Sequence, residues 1–161
     1  MSEKILELKK SIISIGRLLW EKDLVSGLNG NISARVDEGS LLLTAHGTCL
    51  GLLQDKDILH VDLDGNVIGE GSVSTEKLLH TEIYKNFSDT EAVIHTHTTY
   101  TNAYFLDHEV LSPRIFESKI YLGDVKGIPQ KTPAVTDVKP VIETLKNNAI
   151  VVLRNHGVVA M

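Results

Sequence analysis

The first apolar residues of the chain recur at intervals of three and four positions. The residues that follow this spacing are Ile5, Leu8, Ile12, Ile15 and Leu19. Such a spacing puts side chains on one side of an amphipathic helix. The pattern therefore predicts a helix over residues 2–22, with Ser2 as its N-cap residue.

Shorter apolar runs bounded by turn-forming residues predict strands. The predicted strands cover residues 32–36, 41–44, 58–62, 66–68, 92–96 and 149–153. We expect the first four to form two hairpins, the second of them around Asp64-Gly65, because short runs on either side of Gly-containing turns pair with each other.

Helical spacing returns after the glycine-rich residues 69–71. It predicts helices over residues 74–87, 100–106 and 136–145, while residues 115–133 have a mixed strand and loop pattern. Paired strands interleaved with helices are typical of an α/β sandwich with hairpins in its sheet.

Composition narrows the class of protein. The 161 residues carry a net charge of −5, which excludes a nucleic-acid binder held by phosphate contacts. No apolar run reaches the roughly 18 residues that a membrane helix needs. The single cysteine, Cys49, cannot form an internal disulfide, which fits a cytoplasmic location. We therefore expect a single-domain protein of the cytoplasm with neither nucleic acid nor membrane as a partner.

The segment Ile94-His95-Thr96-His97 is the strongest chemical signal. Alternate residues of a strand share a face, so His95 and His97 can bind one metal ion together or hydrogen-bond to each other without metal. His156 follows another apolar strand. Two adjacent strands that end in histidines would bring three imidazoles to one edge of the sheet.

Glu76 and several glycine turns are further candidates. Glu76 follows Ser74-Thr75 in the first turn of a predicted helix, where an acid either stabilises the helix or acts as a general base beside a metal. The turns at Asn29-Gly30-Asn31 and His46-Gly47 are able to hold a phosphate with backbone amides or to serve as turns alone. No nucleotide-binding glycine motif is present.

Five segments together resemble the class II aldolase/adducin-head family, in the order and at the spacing of that family. They are Gly30-Asn31-Ile32-Ser33, Leu43-Thr44-Ala45-His46-Gly47, Ser74-Thr75-Glu76, Ala92-Val93-Ile94-His95-Thr96-His97 and Asn155-His156-Gly157. The resemblance spans residues 1–161. It implies a three-layer α/β/α sandwich around a mostly antiparallel sheet.

The resemblance also implies a site. Its metal ion, Zn²⁺ or another divalent ion, would be bound by His95, His97 and His156. Glu76 would be a ligand without substrate and the acid/base during turnover. The phosphate of a phosphorylated sugar would be bound by Gly30, Asn31, Gly47, Ser74 and Thr75. Members are commonly homotetramers with sites between subunits.

Three positions bear on the reaction. Glu76 stands where the epimerases of the family have aspartate, which favours aldolase or dehydratase chemistry. His46 replaces a threonine of the fuculose enzyme, and Tyr121 is the candidate for a tyrosine that acts across a subunit boundary.

The expected function is therefore a zinc-dependent lyase, a class II aldolase that reversibly cleaves a C–C bond of a phosphorylated ketose through a metal-stabilised enediolate. The first alternative is a metal-dependent dehydratase of the methylthioribulose-1-phosphate dehydratase type. The second is a non-catalytic assembly module like the adducin head. Because family members continue beyond the Asn-His-Gly motif, we expect residues 1–161 to be one domain that lacks its C-terminal helical part.

Overall fold

The computed structural model describes residues 2–161, and these form five α-helices and eight strands. The helices are α1 (Glu3–Glu21), α2 (Lys77–Asn86), α3 (Thr99–Phe105), α4 (Phe116–Tyr121) and α5 (Lys139–Leu145). The strands are β1 (Asn31–Arg35), β2 (Ser40–Thr44), β3 (Ile58–Asp62), β4 (Ala92–Thr96), β5 (Val110–Leu111), β6 (Val125–Pro129), β7 (Ile150–Arg154) and β8 (Gly157–Ala160). None of the described helices is long and apolar enough to cross a membrane.

All eight strands form one sheet in the order β3-β2-β1-β4-β8-β7-β6-β5. Six of its seven strand pairs are antiparallel, and β6 and β7 are parallel. The predicted α/β fold with a mostly antiparallel sheet is confirmed.

The two faces of the sheet carry separate cores because neighbouring side chains of a strand point to opposite faces. Leu41 and Leu43 of β2 pack in the core that contains residues of α2 and α5, whereas Leu42 packs in the core that contains Ile12 of α1. Phe105 of α3 packs against Val152 and Val158 in a third cluster. Helices thus cover both faces, as the three-layer prediction requires.

The predicted second hairpin is wrong in its second strand. Residues 66–68 form no strand, and they pair with β3 only through an isolated bridge between Val61 and Val67. Two backbone hydrogen bonds flank this bridge, from the Asp62 N–H to the Asn66 carbonyl at 3.0 Å and from the Ile68 N–H to the His60 carbonyl at 2.8 Å. The Asp62 carboxylate accepts hydrogen bonds from the backbone N–H groups of Asp64 and Asn66. The side chain of Asp62 thus closes the turn, and the backbone pairing that follows it is confined to residues 66–68. Helix α4 lies where the sequence indicated only strand and loop.

The strands expected to be neighbours at the histidines are also not adjacent. Strand β8 lies between β4 and β7 and is antiparallel to both. Because β4 and β7 consequently run in the same direction, their carboxyl ends still meet at one edge of the sheet.

Candidate active site and metal centre

Three histidines converge at this edge of the sheet. His95 is in β4, His97 follows the end of β4, and His156 lies in the turn between β7 and β8. The Nε2 atom of His95 is 2.9 Å from that of His97 and 3.2 Å from that of His156. Each pair of rings has a centroid distance of 4.8 Å.

Backbone groups set the orientation of this histidine cluster. The Nδ1–H of His95 donates to the carbonyl of Val158 at 2.9 Å, which leaves the lone pair of Nε2 directed at the other two rings. Asn155 has a positive φ of 62°, which turns the chain tightly before His156. The side-chain amide of Asn102 then donates to the His156 carbonyl at 3.0 Å and anchors the turn.

The environment favours neutral imidazoles. Burial lowers the pKa of His95 well below its ordinary value, and the nearby rings of His97 and His156 lower it further. Burial also lowers the pKa of His97 and brings that of His156 to about 4. Neutral imidazole is the form that binds metal ions. Three neutral imidazoles whose Nε2 atoms face one another therefore fit a divalent cation such as zinc.

Glu76 lies beside the cluster. The helix begins at Lys77, so Glu76 directly precedes α2 instead of lying in its first turn as predicted. Its Oε1 atom is 3.7 Å from Nε2 of His156, and its Oε2 atom accepts a hydrogen bond from the Val135 backbone N–H at 3.2 Å. Because the side chain is buried, the pKa of Glu76 is raised, which suits a group that exchanges protons.

A cavity of about 230 Å³ opens next to Glu76. Its lining residues come from three loops and the histidine cluster: Leu28, Asn29, Gly30, Asn31, Ala45, His46, Gly47, Thr48, Ser74, Thr75, Glu76, His97, Pro133 and His156. We call it the anion cavity. No lysine or arginine of the described residues lines it, so neutral donors and backbone amides are what it offers a ligand.

Glycine conformation shapes two of these loops. Gly30 and Gly47 have φ angles of +85° and +72°, a left-handed region that strains other residues. In the third loop, the Ser74 hydroxyl oxygen accepts a hydrogen bond from the Glu76 N–H at 3.2 Å. The hydroxyl proton of Ser74 thus has no part in that bond and is free to donate to a ligand.

The structure brings nearly all predicted site residues together. All five predicted phosphate-binding residues line the anion cavity, with His97, His156 and Glu76. His95 is fully buried behind them. Tyr121 does not line this cavity; it ends the exposed helix α4, and its side chain is 79% exposed.

Other residues at the site were missed. Asn102 and Val135 contact His156 and Glu76 through single hydrogen bonds between segments far apart in the chain, for which the sequence has no local signal. A second cavity of about 400 Å³ also adjoins the histidines and is lined by His97, Gln130, Lys131, Thr132, Pro133, Asn155 and His156. The cluster therefore adjoins two cavities, which share His97, Pro133 and His156 as lining residues.

This fold, with a histidine cluster and a carboxylate beside an anion cavity, defines an enzyme of the class II aldolase type. Residues 10–161 match the family described as Class II Aldolase and Adducin N-terminal domain. The chain belongs to that family, and the resemblance inferred from the sequence is confirmed.

Curated relatives and solved structures agree with this assignment. The chain is 38% identical over 158 residues to an L-fuculose phosphate aldolase of Methanocaldococcus jannaschii, covering 95% of this chain and 83% of the relative. It is 30% identical over 160 residues to a 3-oxo-tetronate 4-phosphate decarboxylase of Haemophilus influenzae, covering 94% and 75%. The structure of L-fuculose-1-phosphate aldolase from Thermus thermophilus matches with a TM-score of 0.86 and 30% identity, covering 95% of this chain and 77% of that one.

Proposed function

We propose that the protein is a metal-dependent aldolase that reversibly cleaves a C–C bond of a phosphorylated ketose. The observation that carries this proposal is the meeting of the histidine cluster, Glu76 and the anion cavity at one edge of the sheet. The relatives named as fuculose phosphate aldolases support it.

His95, His97 and His156 would hold the metal ion, which we propose to be zinc. Such an ion supplies a Lewis acid that stabilises negative charge developing on oxygen when the bond beside a carbonyl breaks. The three imidazoles are neutral, so they leave the charge of the ion undiminished.

Glu76 would transfer the proton. One of its oxygens is fixed by the Val135 N–H, and the other lies toward His156 and the cavity. Its raised pKa keeps it a stronger base than an exposed carboxylate, because its charged form is less well solvated. The residues of the three loops would bind the substrate phosphate and so place the reacting carbons beside Glu76.

The test is a product analysis of the metal-loaded enzyme with a panel of ketose 1-phosphates. We expect an aldehyde and a three-carbon ketose phosphate from at least one of them, with loss of turnover after chelation. A dehydrated ketone with an intact carbon chain would instead identify the dehydratase. Absence of any turnover in the metal-loaded protein would favour the assembly module.

A decarboxylase is the second candidate, because the Haemophilus influenzae relative is named as one. Loss of CO₂ from a 3-oxo acid also breaks a C–C bond beside a carbonyl and needs the same charge stabilisation and proton transfer. Release of CO₂ from a phosphorylated 3-oxo acid, without an aldehyde product, would assign this reaction.

We also propose that the protein assembles as a homotetramer with Tyr121 at a subunit boundary. Phe116, Ile120 and Tyr121 of α4 are 82%, 76% and 79% exposed, an apolar surface that association would cover. Light scattering should give four times 17.7 kDa. A monomer that is fully active would contradict this assignment.

A further inference from the structure

A line of buried polar side chains connects α2 to β1 beside the anion cavity. Its members are Tyr84, His80, Ser33 and Asn31, and none is more than 7% exposed. Of the four, only Asn31 lines the cavity, and the proposed chemistry gives no role to the other three. Burying four polar groups costs free energy unless each of them is hydrogen-bonded. The hydrogen-bond partners of these four side chains therefore indicate their function.

We assign the direction of the hydrogen bonds of this line from the position of the Asn31 oxygen, because the Ser33 and Tyr84 hydroxyls can each donate or accept. Asn31 Oδ1 is only an acceptor, so the His80 Nε2 atom that contacts it carries the hydrogen. Burial lowers the pKa of His80 to about 3, so its ring is neutral and its Nδ1 atom is bare. Nδ1 accepts from the Ser33 hydroxyl at 2.6 Å, and the Ser33 oxygen accepts from the Tyr84 hydroxyl at 2.9 Å.

This direction determines which end of the Asn31 amide is available. Oδ1 is bound to His80, and this is the one side-chain hydrogen bond that Asn31 makes within residues 2–161. Asn31 lines the anion cavity. The group left for a ligand is thus a two-hydrogen donor, which suits a phosphate oxygen.

The opposite orientation of the amide would oppose binding. Turning Asn31 by half a rotation would direct Nδ2–H at the Nε2–H of His80 and direct Oδ1 at the ligand. Both contacts are repulsive, one between donors and the other between an acceptor and an anion. With His80 in the Nε2–H tautomer, only the first orientation can bind an anion.

We propose that His80, held in its Nε2–H tautomer by Ser33 and Tyr84, is a positioning residue that orients the Asn31 amide to donate to the substrate phosphate. This inference rests on the proposed function, since it takes the anion cavity as the phosphate subsite. It adds to that function a buried residue that determines phosphate affinity without touching the substrate.

Binding of inorganic phosphate to the metal-loaded protein, measured by calorimetry, tests the inference. We expect His80→Leu and Asn31→Ala each to weaken binding about tenfold, the loss of one hydrogen bond to a charged group. The double variant should bind no more weakly than Asn31→Ala alone, because His80 acts only through Asn31. In turnover, His80→Leu should raise KM far more than it lowers kcat.

Two variants separate positioning from loss of packing. His80→Gln offers a donor near the Nε2 position and should regain most of the phosphate affinity. His60→Leu is the matched control: it removes a histidine that bonds to the Ser40 hydroxyl at 2.9 Å, outside the anion cavity. It should leave the dissociation constant of phosphate unchanged.

The outcomes distinguish this inference from the proposed function. If the wild type binds no phosphate, or Asn31→Ala binds it equally well, the phosphate subsite is wrong and the inference with it. If Asn31→Ala weakens binding but His80→Leu does not, or their effects add, only the role of His80 is overturned. Nitrogen-15 NMR of the wild type needs no variant to fold: a bare Nδ1 and a protonated Nε2 on His80 are expected, and the reverse tautomer overturns the inference.

Discussion

The histidine cluster and the anion cavity lie side by side, but the chain forms them in opposite ways. The cluster consists of side chains whose positions follow from strand register and one hairpin turn. The cavity is lined mainly by residues of three loops, in two of which Gly30 and Gly47 have left-handed conformations. Replacing one histidine should therefore disable the first, whereas the shape of the second should also respond to added bulk or backbone strain in its loops.

Removing one of the histidines proposed to bind the metal ion should have the largest effect on activity. In His95→Ala we expect loss of bound metal and a fall in kcat/KM of at least about a thousandfold, since a Lewis acid contributes several kcal/mol to such a reaction. Metal analysis and steady-state kinetics measure both quantities. His60→Ala, outside the site, should keep its metal and activity. A His95→Ala protein with wild-type activity would contradict the metal centre.

Glu76→Gln should separate proton transfer from metal binding. The amide retains the shape of the side chain but is a poor base, so kcat should fall by about 10²- to 10⁴-fold. Most of the metal should remain bound, because the three imidazoles are intact. Unchanged kcat in a metal-loaded variant would exclude Glu76 as the acid/base.

Two glycine substitutions test the cavity side as a matched pair. Gly30→Ala and Gly47→Ala each impose left-handed strain of about 1–2 kcal/mol. Only at Gly30 does a methyl group also meet close neighbours, the His95 carbonyl oxygen and the Val25 Cγ1 atom, both at 2.9 Å. A Cβ atom added at Gly47 would have no heavy atom within 4 Å other than those of Gly47 itself and its two neighbours in the chain.

We therefore expect Gly30→Ala to lower the free energy of unfolding by about 1–3 kcal/mol more than Gly47→Ala. Urea denaturation gives both values. Equal losses would show that Gly30 is needed only for its backbone conformation, and that the cavity loop is not packed tightly against the histidine strand.

A smaller effect should appear in the pH dependence of stability. The pKa of buried His80 falls from 6.5 to about 3, so below pH 6.5 the unfolded chain takes up a proton that the folded protein excludes. This contribution is complete above pH 6.5 and is lost as the pH falls toward 3. Lowering the pH from 7 to 5 should therefore lower the free energy of unfolding by about 2 kcal/mol through His80 alone.

The measurement is the free energy of unfolding of the wild type and of His80→Gln, each determined at pH 7 and at pH 5. Because the other histidines remain in both proteins, the difference isolates His80. An identical pH dependence in the two proteins would show that folding does not lower the pKa of His80.

Much of the site was accessible from the sequence because its signals are local. The alternation in Ile94-His95-Thr96-His97 already places two imidazoles on one face, and the glycine turns identify two of the loops that line the anion cavity. The wrong predictions concern which strands pair with each other and how far the pairing extends. The sequence indicated neighbouring strands at the histidines, but β8 pairs between them. Residues 66–68 pair with β3 through a single bridge flanked by two backbone hydrogen bonds, which is too short to form the expected strand.

The sequence by itself therefore determined the family, the layered α/β fold and the residue types of the site, since periodicity and short motifs act within a few residues of the chain. Only the tertiary structure decided which distant groups meet. The Val135 N–H reaches Glu76, Asn102 anchors the His156 turn, and His80 contacts Asn31 from another element. Such contacts depend on how whole elements pack, and a single hydrogen bond between distant segments leaves no periodic pattern in the chain.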